Sequence, residues 1–301
     1  MKFRTLIDQI LRQEDLNFLL TNRIPRRAAT LFMGRFSKVN NPLIRTLSIA
    51  VWKFFSGADL SNARKSRFDS LHDAFIRELK PGSRPIHPDT AVITSPCDGI
   101  IGAHGRVSDS QIYQAKGYPY KLDELLPTPA LVNRFKQGTY LTIRITAGMY
   151  HRFHAPTDGE ISRVTYITGD TWNVNPIALK RVESLFCKNE RAVIESTYLG
   201  SDGIARPYLM IPVAAILVAS IRLHFADVRL HLRYSGPNEI PCTHFCTKGE
   251  ELGWFEHGST IILIFPEILE FAPEIKEGKV INMGEELFRV QRIGHSPIRD
   301  H

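Results

Sequence analysis

Residues 254–265 read Trp-Phe-Glu-His-Gly-Ser-Thr-Ile-Ile-Leu-Ile-Phe, a small Gly-Ser step followed by an unbroken apolar run. A short continuous run of this kind reads as a strand buried in a core. The Ser259 hydroxyl then sits at the mouth of that strand. Gly258 has no side chain to shield its own carbonyl, and its permissive dihedrals allow a bent backbone that brings the two groups together. A serine so placed can attack the peptide bond before it. A β-turn entering a core strand explains the same tripeptide equally well, so the rest of the chain has to decide.

The 301 residues are 43% apolar, enough for a sizeable core as one large domain or as a domain with an appendage. The net charge of +7 is unevenly spread: residues 1–55 hold ten Lys and Arg against Asp8, Glu14 and Asp15, and the remainder is balanced. A sequence pI near 9.3 would suit nucleic acid. Here the basic excess is confined to a segment interleaved with apolar residues, which suits an anionic membrane surface at least as well. Within it, residues 43–55 place apolar side chains at helical spacing around Arg45 and Lys53. They fall short of the roughly 20 residues a span requires, so the stretch lies on a membrane or packs on the core. Residues 208–221 are more apolar, but Pro212 interrupts them, and they read as a buried strand. The first thirty residues carry acids and no long apolar core, unlike a signal peptide. The expected location is peripheral, on the cytoplasmic face of a membrane, with no transmembrane span.

Cys97, Cys187, Cys242 and Cys246 show no paired spacing of a disulfide framework, and a reducing compartment is the simpler reading. Cys242, His244 and Cys246 lack a second cluster to complete a four-ligand metal site, so no metal is expected.

In chain order, helical patterns run over residues 3–20 and 26–36, then 43–55, then 69–79, where Lys-Pro-Gly-Ser stops the last. Beyond Pro85 come short apolar runs split by Gly and Pro, at 91–94, 99–103, 139–146, 160–168, 191–199, 209–221, 226–234, 260–265 and 286–292. The pattern predicts an α+β chain: a basic, helical, membrane-associating region over 1–65 and a β-rich barrel or sandwich over 66–301, where the candidate catalytic motifs fall.

Three constellations in the β-rich part carry chemistry. Ser95-Pro96-Cys97-Asp98-Gly99 puts a carboxylate in a turn. Tyr150-His151-Arg152-Phe153-His154-Ala155-Pro156 has two histidines three apart, on opposite sides if the backbone is extended and on one side if it is helical. Gly258-Ser259 is the third. Asp98, His154 and Ser259 together have the composition of a nucleophile, its base and the base's orienting carboxylate. A hydrolase acting on an external ester uses the same three groups, although Gly-x-Ser-x-Gly is absent. An inactive, membrane-bound binding module also remains open.

These three motifs, at these separations, resemble the signatures of the phosphatidylserine decarboxylases. Residues 68–86, Val174-Asn175-Pro176, Asn189-Glu190-Arg191 and residues 248–253 extend the resemblance to about 68–292. His257 departs from it, since many members carry Leu there. The resemblance implies that Ser259 attacks the Gly258 carbonyl and that the chain cleaves itself into 1–258 and 259–301, held together as a heterodimer. It implies a covalent pyruvoyl group made from Ser259, whose ketone forms a Schiff base with phosphatidylserine, and no exchangeable cofactor. Asp98 would orient His154, the base for cleavage, and His151 would serve decarboxylation. The β-domain would be similar to the biotinyl/lipoyl carriers, with Ser259 on an inner strand edge. Expected partners are the substrate lipid, an anionic membrane and possible further copies of the chain, but no nucleic acid.

Overall fold

A computed structural model describes residues 13–200, 202–217, 220–256 and 259–290. The chain begins with helices α1 (Glu14–Asn22), α2 (Arg26–Phe36) and α3 (Pro42–Ser56). The part of the first expected helix before residue 13 lies outside the described residues. Local chemistry fixes α3 at both ends. The Asn41 side chain accepts from the Leu43 and Ile44 N–H groups, Pro42 opens the first turn, and Gly57 ends the helix in the left-handed region at φ 66°.

Helix α3 leans on the body through Trp52, whose Nε1 donates to the Ala147 carbonyl at 3.0 Å and whose ring lies 5.6 Å from that of Phe75. Gly148 is needed at this contact, because a Cβ there would come within 2.6 Å of the Ser56 carbonyl. A small satellite core of Ala63, Phe68 and Ala74, with Ile49, Trp52 and Leu60 packed against it, continues the join. The helix expected over 69–79 is only α4 (Leu71–Phe75), capped by the Ser70 hydroxyl. Beyond it the chain leaves the helical path and Arg77 turns inward, donating to the Gly148 carbonyl at 3.0 Å.

The strands follow as β1 (Val92–Thr94), β2 (Gly99–Val107), β3 (Gln111–Ala115), β4 (Tyr118–Lys121), β5 (Gly138–Ile145), β6 (Arg152–His154), β7 (Gly159–Ile167), β8 (Arg191–Leu199), β9 (Ala205–Ala214), β10 (Ser220–Leu223), β11 (Val228–His231), β12 (Glu239–Cys246), β13 (Glu251–Phe255), β14 (Ser259–Phe265), β15 (Glu270–Phe271), β16 (Val280–Ile281) and β17 (Glu286–Arg289). The largest sheet is antiparallel, in the order β12-β7-β8-β9-β14-β5-β2-β16. Among the described residues its outer strands, β12 and β16, do not pair with each other, so it is open, and of the expected barrel or sandwich the closed barrel is not formed. The likeness to the biotinyl/lipoyl carriers stays an expectation of the resemblance. A four-stranded sheet, β11-β10-β13-β6, lies beside it, with a three-stranded sheet β1-β17-β15 and the hairpin β3-β4.

The apolar run that opened the sequence reading is β14, buried at every residue and hydrogen-bonded between β9 and β5. The run over 209–221 is two strands. It breaks after Ala214, and the next apolar residues, Ala215, Ile216 and Leu217, line a cavity instead.

Candidate active site

The structure stitches the first two motifs together through their backbones. The His154 N–H donates to the Pro96 carbonyl at 2.8 Å, and the Thr94 N–H and hydroxyl both donate to the Pro156 carbonyl. Gly99 lets the Asp98 turn sit against β5, since a Cβ there would meet Ile143 Cγ2 at 2.3 Å. His154 ends β6 and His151 stands just before it, its carbonyl accepting from the Phe255 N–H of β13, and the two rings have different surroundings. The His151 ring packs against Phe75 at 4.0 Å between centroids. His154 instead lines a polar pocket with Tyr150, Arg84, Arg64, Glu78 and Glu251.

The partners of His154 differ from the expected triad. Its Nδ1 lies 2.9 Å from the Gly249 carbonyl and its Nε2 lies 3.0 Å from the Tyr150 hydroxyl. A carbonyl only accepts, so Nδ1 carries the proton and the Nε2 lone pair takes the phenol's hydrogen. The expectation that Asp98 orients this ring therefore gives way to the Gly249 carbonyl. Asp98 is committed elsewhere: Arg84 grips both its oxygens, Nε to Oδ1 at 2.8 Å and Nη2 to Oδ2, and the Met283 N–H donates to Oδ1 at 3.0 Å. The carboxylate acts on His154 through its field only.

Electrostatics favour a neutral imidazole at this place. Burial holds the His154 pKa below its ordinary 6.5, with the Gly249 carbonyl and Glu251 acting the other way. Burial likewise pushes the Tyr150 phenol up, so it remains a donor. The pairing with Asp98 raises Arg84, which stays a fixed cation. His151 donates from Nδ1 to the Met149 carbonyl at 2.8 Å, which leaves Nε2 as its basic nitrogen.

Ser259 opens β14, opposite Ile145 on one side and Ala214 on the other. It is 0% exposed, and its hydroxyl has no hydrogen-bond partner among the described residues. A buried hydroxyl with no hydrogen bond to give up is available to act as a nucleophile. Asn189 braces the neighbouring strand end by donating to the Ala214 carbonyl at 2.9 Å. His257 and Gly258, and with them the expected scissile bond, lie outside the described residues.

Ile145, Ala215 and Phe75 also line a cavity of about 940 Å³ between the body and helices α2 and α3, to which Phe36, Leu47, Val51 and Phe55 contribute. The ladder partner of Ser259 and the residue stacked on His151 thus share one apolar space. Among the described residues no group of three or more His, Cys, Asp or Glu side chains is placed to hold a metal. His244 bonds Glu250 at 2.7 Å instead.

Arg84, Tyr150 and Gly249 stand in the sequence with no chemical signal of their own beyond lying inside the stretches that carry the resemblance.

Residues 71–289 match the sequence model of the phosphatidylserine decarboxylase family. The chain is 32% identical over 295 residues to a phosphatidylserine decarboxylase proenzyme of Saccharophagus degradans, covering 93% of this chain and 99% of the relative. It is also 32% identical over 281 residues to the proenzyme of Shewanella amazonensis, covering 89% and 96%. The proenzyme of Brevibacillus brevis is 32% identical over 274 residues, covering 89% and 95%.

Proposed function

This chain belongs to the phosphatidylserine decarboxylase family, and on that premise we propose that it converts phosphatidylserine to phosphatidylethanolamine using a pyruvoyl group made from its own Ser259. The carrying observation is the buried, uncommitted Ser259 hydroxyl at the head of a central strand.

In the first step the Ser259 oxygen bonds to the Gly258 carbonyl carbon and the Gly258–Ser259 C–N bond breaks, leaving an ester and a free amine. His154 takes the hydroxyl proton at Nε2, the lone pair that Tyr150 now occupies, and returns it to the amine. Loss of the Ser259 α-proton then expels the Gly258 carboxylate and leaves dehydroalanine. Water replaces ammonia in its imine tautomer, leaving a ketone at the start of a chain of residues 259–301. The pyruvoyl group supplies a carbonyl that takes up the substrate amine and draws electrons as carbon dioxide departs. His151 holds the proton that takes the place of the lost carboxylate. Asp98 keeps Arg84 paired beside His154, so the pocket does not present a bare cation to the imidazole.

The substrate reaches this site from a membrane. Helices α2 and α3 expose Phe32, Leu43, Leu47 and Phe55, and their region holds the chain's whole excess of positive charge. That combination suits docking on anionic lipid. The cavity beneath them offers apolar lining for acyl chain next to the strand end that carries Ser259.

Intact mass of the purified protein tests the reading. Two chains, 1–258 and 259–301, should be found for the wild type and one for Ser259→Ala, with carbon dioxide released from labelled phosphatidylserine only by the former. A wild-type chain that stays whole and hydrolyses simple esters would overturn it.

A further inference from the structure

We propose that Glu256 is a positioning residue for self-cleavage, held by the N-terminal region so that the chain is cut only when helices α2 and α3 are docked on the body. The proposal rests on the self-processing reading above and adds a residue to it. Glu256 follows β13, two positions before the bond proposed to break, and is 8% exposed. Its carboxylate meets three side chains from three different elements. Lys38 Nζ, from the turn after α2, is 3.2 Å away. Arg229 Nη1, from β11, is at 3.6 Å, and His72 Nε2, from α4, is at 3.9 Å. The Glu256 N–H donates to the Ser220 carbonyl at 3.2 Å, so backbone and side chain are both pinned.

The N-terminal partners are themselves tied together, because the His72 N–H donates to the Ser37 carbonyl at 2.8 Å. One carboxylate therefore joins α2, α4 and the strand that leads to the cleaved bond. A nearly buried carboxylate tolerates its lost hydration only while its cations remain in place. Lys38 and Arg229 would conversely repel each other without it. Release of α2 and α3 removes Lys38 and loosens the segment after β13. Attack by Ser259 needs its oxygen about 3 Å from the carbonyl carbon, and a misplacement of about 1 Å costs on the order of 100-fold in rate. The role proposed for Glu256 is to set where the segment leading to Ser259 lies.

The test follows the appearance of the 259–301 chain in freshly purified full-length protein, alongside thermal melting. Glu256→Gln keeps shape and loses charge, and should slow cleavage by about tenfold or more, with Glu256→Asp recovering part of the rate. Lys38→Gln should slow it by a smaller factor. The double variant Lys38→Gln/Glu256→Gln should be no slower than Glu256→Gln alone, because the two residues act through one contact. Should Glu256→Gln lower the folded fraction, Lys38→Gln, on a more exposed side chain, carries the test. Cleavage of both variants at the wild-type rate, multiplying effects in the double variant, or slowing only in proportion to lost folded protein would overturn the proposal and leave self-processing standing. An uncleaved wild type would overturn the self-processing reading, and this proposal with it.

Discussion

His151 and His154 are separated by only two residues, yet one, just before β6, packs against Phe75 and the other, ending β6, lines a polar pocket. That divergence gives each a distinct expected phenotype. His154→Ala removes the acceptor for the Ser259 proton and should accumulate uncleaved precursor, with a loss on the order of 100- to 10,000-fold. His151→Ala should cleave and then decarboxylate poorly. A gel and carbon dioxide release read the two steps separately. The ladder supplies the competing assignment, because the Phe255 N–H donates to the His151 carbonyl while Glu251 lies opposite His154. His151 thus faces the end of β13 that is nearer Ser259 in sequence. Precursor accumulating in His151→Ala while His154→Ala matures would reverse the roles. The pKa of His154 sets a second expectation. Burial lowers it from 6.5, so the folded chain binds fewer protons here than the unfolded one between the lowered value and 6.5. Stability from this group is present above 6.5 and is lost as pH falls through the folded value. Cleavage rate, measured against pH, should stay level down to 6.5 and fall only below it; a decline beginning above 6.5 would mean that another group titrates. The side chains at this scale were legible because their types announce chemistry. The Gly249 carbonyl that fixes the tautomer was not, since every residue has a carbonyl and only the fold selects one.

Elements were legible where their pattern and their burial agree. The apolar run of β14 has no polar residue to expose and lies buried in the middle of the large sheet. Strand β12 was hidden for the opposite reason: it is an edge strand, largely exposed, with Pro241 beside an irregularity in its ladder, so it reads as a loop. The break between β9 and β10 was hidden because residues lining a cavity are as apolar as residues in a strand. Helix α3 shows both situations on one element. Leu47, Val51 and Phe55 line the cavity, whereas Leu43, 76% exposed, and Phe54, 45% exposed, do not. Leu43→Asp and Phe54→Asp should therefore separate lipid contact from cavity lining. Each apolar side chain buried in lipid contributes about 1.5–3 kcal/mol, so each change should weaken vesicle binding by about tenfold or more. Cosedimentation with anionic vesicles measures it, and melting temperature should hardly move for Leu43→Asp, whose side chain already faces water, whereas Phe54 also packs edge-on against Phe55 at 5.3 Å. Unchanged binding would make this face a cover for the body only.

For the whole molecule, the charge distribution separates two processes that share one site. The excess of positive charge lies within residues 1–55, and Arg23, Arg27 and Lys53 there are exposed to solvent. Attraction between these groups and an anionic surface acts through water, over a Debye length of about 10 Å at 0.1 M salt and about 3 Å at 1 M. Self-cleavage draws mainly on groups buried inside the body, Ser259, His154 and the Glu256 carboxylate, with the half-exposed Lys38 and Arg229 within 3.6 Å of the last as its part most open to screening. Raising salt from 0.1 to 1 M should therefore weaken binding to phosphatidylserine vesicles and slow turnover of lipid presented in them. The appearance of the 259–301 chain in solution should change little over the same range. Turnover of a dispersed short-chain substrate, which reaches the site without a charged surface, should also hold. Equal losses of cleavage and vesicle turnover would mean that salt acts on the fold, and the basic N-terminal region would then serve the body and not the membrane.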